Sequence, residues 1–274
     1  MSFKSTLLMA CVFVLPVNVN AATVFIDDFT IVKNGNVIFN DAFSNDIAPA
    51  DNGGNTQQYN VLGGPLGIES GGKLALNANL GEVVERPDAG TMQRQGARVK
   101  TNINPLQPTK GLRTDDTFSV TGIFDITNLT NERERYGVRL TDAASSNPLK
   151  NDSVGLSVMR TSTTDLSIVF HSYDQAAFTF TDLESLLLDG SNDQIALTLS
   201  RLNPLDDFVT ASFAYVNGGV VESSTTFSTQ DTLFNGEDFT RAQFMYVAPV
   251  PIPSAIWLFG SGLIGLIGTA RRKY

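Results

Sequence analysis

The chain offers few side chains that could carry out catalysis. His171 is its only histidine and Cys11 its only cysteine, and Cys11 lies in an apolar amino-terminal segment. A Ser-His-Asp hydrolase would have to use His171 as its base, but the sequence contains no Gly-x-Ser-x-Gly nucleophile elbow. If that segment is removed, the mature chain has one histidine and no cysteine, which leaves no usual zinc ligand set. We therefore predict that His171 lies on a sheet face, and we assign no catalytic residue.

Carboxylates are plentiful, so glycoside hydrolysis is the enzyme class to consider. It needs two acids about 5 to 10 Å apart. The nearest pair in the sequence, Glu132 and Glu134, alternates with Arg133 and Arg135, which is typical of a charged turn. The jelly-roll glucanase pattern of acids at alternate strand positions does not occur. We predict that the protein is not an enzyme; a secreted glycoside hydrolase or lyase acting on matrix polysaccharide is the alternative.

Two kinds of glycine-rich or Asx-rich segment could bind ions. The stretch from Gly67 to Lys73 meets part of a phosphate-loop pattern, but Leu74 replaces the hydroxyl residue that holds magnesium, so a hairpin turn is predicted. Oxygen-rich stretches at Asp51–Asn55 and Asp189–Asp193 supply the hard donors that calcium prefers, although neither is an EF-hand. We predict no cofactor, and the sequence leaves a structural calcium ion open.

Charge is segregated along the chain. It has 274 residues, with 28 acidic and 19 basic side chains. Four of the basic residues, Lys4, Arg271, Arg272 and Lys273, lie near the two ends, so the middle carries 15 basic against 28 acidic residues, a net charge of about −13. Phosphate recognition needs clustered Lys and Arg. We therefore predict that the protein does not bind nucleic acid.

The middle of the chain is predicted to form β-strands, because apolar residues recur there at every second position. The clearest series are 118–126, 136–140, 154–158, 166–170, 195–199 and 209–215. The alternate positions are polar or small, as in antiparallel sheets with one wet side. One helix is predicted from Thr181 to Gly190, where Thr181 and Glu184 resemble a capping box. Residues 23–246 are thus predicted to form an all-β, two-sheet antiparallel sandwich of jelly-roll type.

Residues 1–22 have the pattern of a secretory signal peptide. Lys4 supplies the positive start, an apolar run follows, and small residues precede cleavage after Ala21 or Ala22. A lipoprotein signal ending at Cys11 fits less well, because the apolar run before this cysteine is short. We predict export across the inner membrane.

Residues 247–274 form the third predicted segment. The stretch from Ile252 to Ala270 has no charged residue and would reach about 28 Å as a helix, enough to cross a bilayer. Arg271, Arg272 and Lys273 follow it, which the positive-inside rule keeps in the cytoplasm. We predict a single transmembrane helix that holds the acidic body outside.

The proline motif Val250, Pro251, Ile252, Pro253 and Ser254, followed by the apolar run and the basic tail, resembles the PEP-CTERM sorting signal in its Val-Pro-Leu-Pro-Ala variant. Ile252 stands for Leu and Ser254 for Ala. The resemblance implies an exosortase as partner, transient anchoring in the inner membrane, cleavage near the proline motif, and association with exopolysaccharide. The expected location is the cell surface or the extracellular matrix, with a structural, adhesive or carbohydrate-binding role in biofilm.

A second resemblance concerns the body. Leu188–Arg201 is similar to the stretch of laminin G-like and concanavalin A-like domains in which an Asp-Gly turn leads into a strand. Asp193 stands where many such domains have His. This resemblance implies a jelly-roll or concanavalin A-like fold and no particular activity. Exposed aromatics suit sugar binding, and Tyr59, Tyr173 and Phe178 are candidates, but no binding residue is assigned.

Overall fold

The computed structural model contains sixteen strands among the residues it describes, and the all-β prediction is confirmed. The described residues are 23–44, 59–62, 69–77, 82–86, 90–100, 112–113, 115–141, 152–174, 179–188, 192–230, 239 and 241–249. In chain order the strands are β1 (Thr23–Lys33), β2 (Asn36–Asp41), β3 (Tyr59–Leu62), β4 (Leu74–Asn77), β5 (Glu82–Arg86), β6 (Gly90–Lys100), β7 (Phe118–Asp125), β8 (Arg135–Thr141), β9 (Ser153–Arg160), β10 (Leu166–Asp174), β11 (Thr179–Leu187), β12 (Gln194–Arg201), β13 (Thr210–Asn217), β14 (Val220–Val221), β15 (Thr225–Thr226) and β16 (Arg241–Pro249).

The strands form two antiparallel sheets of eight strands each. Sheet A has the order β14-β13-β12-β7-β1-β2, with β15 beside β13 and β4 beside β1. Sheet B has the order β11-β10-β9-β8-β16-β6-β3, with β5 beside β6. Strands far apart in sequence, such as β1 with β7 and β16 with β6, are hydrogen-bonded neighbours. Two-sheet architecture, as predicted, is therefore present.

One hydrophobic core lies between the sheets, and it is built from the alternating apolar residues that the sequence singles out. Aromatic rings join the layers: Phe29 of sheet A lies 5.1 Å from Phe244 of sheet B, and Phe124 lies 4.8 Å from Tyr136, both edge to face. Such pairs add about 0.5 to 1.5 kcal/mol each beyond the area they bury. The inner faces hold the two sheets together without a disulfide, since no cysteine lies among the described residues.

Glycine and asparagine turns join neighbouring strands. Asn34 and Gly35 both have positive φ between β1 and β2. Gly71 and Gly72 also have positive φ, and Ser70 and Lys73 exchange backbone hydrogen bonds of 2.9 and 3.3 Å around them. The segment that partly matches a phosphate loop is thus a tight hairpin turn, because only small or Asx residues adopt this backbone readily.

The predicted helix at Thr181–Gly190 is wrong, because residues 179–187 form edge strand β11. Its pairing with β10 contains a bulge beside Leu183, which lets both Leu183 and Leu186 pack against the core. Glu184 does not cap a helix. Its carboxylate accepts hydrogen bonds from the Thr229 amide at 2.8 Å and the Ser228 hydroxyl at 2.9 Å.

The sandwich begins at Thr23 and its last strand extends through Pro249, beyond residue 246. Residues 1–22 and 250–274, which carry the predicted signal peptide and sorting segment, lie outside the described residues. Within the part of the chain that the structure describes, no helix has the length and apolar character needed to span a membrane.

Candidate functional site

The outer face of sheet B, which points away from the core, carries basic and amide side chains in register. Alternation along β8 places Tyr136, Val138 and Leu140 in the core, so Arg139 lies on the outer face. Arg139 is paired with Gln243 of β16 and with Gly155 of β9, and Gly155 is paired with His171 of β10. A single row across four strands therefore consists of His171, Gly155, Arg139 and Gln243.

Further arginines lie on both sides of this row. Arg241 stands two residues before Gln243 on β16, opposite Thr141. On the other side, Val247 is paired with Arg135 of β8 and with Arg94 of β6. We call this surface the arginine face and define it by six side chains: Arg94, Arg135, Arg139, His171, Arg241 and Gln243.

Glycines keep the floor of the arginine face low. A Cβ at Gly155 would lie 2.4 Å from Nε2 of His171, so the imidazole lies flat across this glycine. The same ring stacks on Phe180 of β11, with centroids 4.7 Å apart and planes at 28°. A Cβ at Gly137 would lie 2.1 Å from the Leu156 carbonyl oxygen. A side chain at Gly137 would therefore have to move the neighbouring strand, and one at Gly155 would have to displace the His171 ring.

One contact indicates that the arginine face is concave. The guanidinium of Arg135 lies 5.2 Å from the centroid of the Phe180 ring. The register pairs Arg135 with Met159 and Met159 with Ser167, and Ser167 is paired with one end of β11. Phe180 lies near the opposite end of β11. On a flat sheet the two positions would be about 14 Å apart across the strands and about 20 Å apart along them. Sheet B must therefore coil toward its outer side to bring them together.

Burial differs across the face. Arg94 and Arg135 are only 7% and 5% exposed, and Gln243 is 4% exposed, whereas Arg139 and Arg241 keep part of their surface in solvent. The expectation of a wet outer side is therefore wrong for sheet B. The end of the face that holds Arg94 and Arg135 also carries a buried apolar cluster of Met92, Met245 and Val247. The partly exposed Arg139 and Arg241 lie toward the other end of the strands.

An acidic residue borders the face on edge strand β11. Asp182 is exposed and is paired in register with His171. The four arginines thus concentrate positive charge on one surface of a body in which acids outnumber bases.

The outer face of sheet A has different chemistry. A row across five strands consists of Ser212, Thr198, Thr121, Thr30 and Asn40. The hydroxyls of Thr121 and Thr198 are 2.9 Å apart, and the Asn40 amide donates to the Thr30 hydroxyl at 2.7 Å. This face uses its polar groups on one another and carries no arginine in the row.

Sheet A also carries a carboxylate pair that an enzyme hypothesis could use. Asp27 lies at a bulge between β1 and β7, and the Lys73 ammonium lies 3.7 Å from its Oδ1 and 3.3 Å from Oδ2 of Asp125. The Gln194 amide donates to the other oxygen of Asp27. Burial is the main cause that raises the pKa of Asp27, and Lys73 opposes it. The cation bridges the two acids, so this cluster ties the β4 turn to sheet A.

The acidic pair that the sequence does suggest, Glu132 and Glu134, is a turn as predicted. Glu134 is buried, and its carboxylate accepts hydrogen bonds from the amides of Thr130 and Asn131, both at 2.9 Å. Glu132 is exposed in the same turn. The two carboxylates therefore have different surroundings, and Glu134 serves to hold the loop before β8.

The other residues singled out in the sequence are mostly outside the described residues. These are Ala21, Ala22, the proline motif Val250 to Ser254, and the basic tail Arg271, Arg272 and Lys273. The oxygen-rich stretch Asp51–Asn55 and Phe178 lie outside them too, and of Asp189–Asp193 only Asn192 and Asp193 are described. The described ranges contain no group of three or more His, Cys, Asp or Glu placed to hold a metal ion.

Comparisons with known proteins give only distant likenesses. No protein-family model matches the chain, and no curated protein matches it. A solved structure of the CBM2 module of the Lactobacillus casei BL23 phage J-1 evolved Dit is 12% identical, with a TM-score of 0.41 over 85% of this chain and 90% of that one. An engineered GH43 glycoside hydrolase is 13% identical, with a TM-score of 0.27 over 58% of this chain and 35% of that one.

A protein of unknown function from Shewanella oneidensis MR-1 is 11% identical, with a TM-score of 0.23 over 85% of this chain and 90% of that one. All three TM-scores are below 0.5, so we base no functional conclusion on these likenesses.

Sequence reasoning missed the arginine face because its members come from four separate strands. One signal was present: Arg135 and Arg139 occupy the positions that alternate with the buried Tyr136 and Val138. The pairing of β8 with β16 and of β16 with β6, which brings Arg94 and Arg241 beside them, joins distant parts of the chain. The net charge of the chain is −9, and a negative total gives no sign of a local cluster of arginines.

Proposed function

We propose that the protein is an exported surface or extracellular-matrix protein, sorted by an exosortase system, that binds polysaccharide in exopolysaccharide or biofilm. The observation that carries the proposal is the arginine face, a concave surface with polar groups in register across sheet B. A sugar chain offers many hydroxyl groups and flat ring faces. A binding surface for it therefore needs several convergent hydrogen-bonding groups and planar side chains for stacking.

The arginine face contains both kinds of group. The guanidinium N–H groups of Arg139 and Arg241, which are both partly exposed, supply donors in fixed planar geometry. His171 and Phe180, stacked 4.7 Å apart, supply a planar side-chain platform beside them. These features support binding, and none of them requires a catalytic group.

The sorting part of the proposal rests on the sequence. An apolar segment after the proline motif, followed by Arg271, Arg272 and Lys273, fits delivery to the outer face of the inner membrane before processing. Mass spectrometry of the protein from its native cells tests this part. We expect a carboxyl terminus between Val250 and Ala255, and an intact Tyr274 in the main surface form would contradict processing.

A glycan array tests the binding part. The full-length chain, kept in detergent, is applied to neutral and acidic polysaccharides with calcium and with a chelator. We expect retention on at least one polysaccharide in both conditions, because the arginine face needs no metal. Absence of binding to every glycan would contradict the proposal. Binding only in the presence of calcium would indicate that the site lies in the oxygen-rich loops rather than on the arginine face.

A glycoside hydrolase or lyase is the alternative, and Asp27 with Asp125 is a described carboxylate pair that it could use. Lys73 lies between these carboxylates, where a glycosidase leaves room for the sugar or a water molecule. Release of new reducing ends from the bound polysaccharide, abolished by Asp125→Asn, would favour the alternative. We expect no release.

A further inference from the structure

The charge of the arginine face specifies its ligand more closely. We propose that it binds an acidic polysaccharide, one whose sugars carry carboxylate groups, and that Arg139 and Arg241 hold those carboxylates. The inference rests on the proposed function and narrows it from polysaccharide in general to polyuronate chemistry.

Geometry brings the two partly exposed arginines close together. Arg139 of β8 is paired with Gln243 of β16, and Arg241 is two residues from Gln243 on the same face. Neighbouring strands are about 4.8 Å apart and residues two apart on a strand about 7 Å. Both guanidinium groups can therefore reach one short stretch of a chain that crosses the strands.

Arginine suits carboxylate recognition for a physical reason. Its planar guanidinium donates two parallel hydrogen bonds to the two oxygens of one carboxylate, and it stays charged at every physiological pH. Such a pair is stronger at partly buried side chains, as Arg139 and Arg241 are, than on a fully exposed surface. Arg94 and Arg135 lie deeper on the same face and add to the positive potential without having to touch the ligand.

Nucleic acid is the other polyanion that arginines could bind, but the body of the chain does not favour it. Double-stranded DNA carries one charge per about 1.7 Å of its length and is contacted over a broad surface. Here four arginines form one patch within a region of 15 basic and 28 acidic residues, so the surroundings repel a densely charged duplex. A polyuronate, with one charge per sugar, fits a localised patch better.

The test compares binding of the full-length chain to polygalacturonate, to neutral dextran and to double-stranded DNA of matched length. Variants are Arg139→Gln and Arg241→Gln on the face, with Arg133→Gln as a control. Arg133 is exposed in the turn before β8, so its replacement removes the same single charge away from the face. Arg139→Lys is added because it keeps the charge and loses the planar fork. Thermal unfolding of each variant shows that it is folded.

We expect polygalacturonate to bind more tightly than dextran or DNA. Each of Arg139→Gln and Arg241→Gln should weaken that binding about tenfold, since a hydrogen bond to a charged group contributes a factor of this order. Arg139→Lys should recover part of the loss, and Arg133→Gln should change binding less than about twofold.

Other outcomes separate the two proposals. Equal binding of dextran and polygalacturonate, unaffected by the arginine variants, would overturn the acidic ligand and leave polysaccharide binding intact. Tighter binding of DNA than of either polysaccharide would overturn it in favour of nucleic acid. Binding to none of the three, with a folded protein, would overturn the arginine face as a site and count against the proposed function as well.

Discussion

The outer faces of the two sheets follow the same alternation and carry opposite chemistry. On sheet A one row across five strands consists of Ser, Thr and Asn, and Thr121 and Thr198 bond to each other at 2.9 Å. On sheet B the outward positions include arginine, glycine and histidine, and Arg135 contacts Phe180. Short hydroxyl side chains satisfy one another on a sheet, whereas long cations above glycines leave a concave charged surface. The difference shows that the outward positions, which the core does not constrain, determine what each sheet can bind.

The largest expected effect is at a glycine of sheet B. Gly137→Ala should lower the free energy of unfolding by about 2 to 3 kcal/mol, because its Cβ would collide with the Leu156 carbonyl oxygen at 2.1 Å. Urea unfolding measures the change. The matched small-residue change on sheet A, Ser212→Ala, should cost less than about 0.5 kcal/mol. Equal losses of unfolding free energy in Gly137→Ala and Ser212→Ala would contradict the difference between the two faces.

A smaller effect is expected where aromatic stacking supports the arginine face. Phe180→Leu removes the stack on His171 and the contact with Arg135, so it should cost about 1 to 1.5 kcal/mol. Chemical denaturation of the variant checks the value. Phe25→Leu, at a half-buried outward position of sheet A, serves as the control for losing an aromatic ring. A cost no larger than that of the control would show that the stack adds nothing.

The hydroxyl row of sheet A should give a measurable but modest coupling. In a double-mutant cycle, Thr121→Val and Thr198→Val should be coupled by about 0.5 to 1 kcal/mol, because the two hydroxyls bond to each other. Unfolding free energies of the two single variants and the double variant provide the cycle. Strict additivity would mean that water already satisfies both groups.

The smallest effect concerns Asp27 and depends on pH. Burial raises its pKa in the folded state, so the folded protein binds this proton more tightly than the unfolded chain does. As pH falls from about 6 to about 4, the wild type should gain stability relative to Asp27→Asn, by less than about 1 kcal/mol. Thermal unfolding of both proteins across that range measures the difference. A relative loss of stability toward acid would show that Lys73 outweighs burial.

The sequence predicts the inner faces far better than the outer ones. Burial imposes a period of two on series such as 118–126 and 154–158, and each lies in or overlaps a strand with a buried face. The helix prediction at Thr181 failed because a strand with a bulge also spaces its leucines irregularly. No local pattern could place Arg94 beside Arg241, since long-range strand pairing decides it. The sequence could not predict the Lys73 bridge either, because Asp27 and Asp125 lie on strands that are far apart in sequence.

Arginine footprinting is the most direct test that ligand binds sheet B rather than sheet A. The full-length chain is treated with phenylglyoxal, with and without polygalacturonate, and modification of each arginine is read by mass spectrometry. We predict that the polysaccharide protects Arg139 and Arg241 and leaves the exposed Arg133 unchanged. Binding of the polysaccharide with no protection of Arg139 or Arg241 would contradict the account.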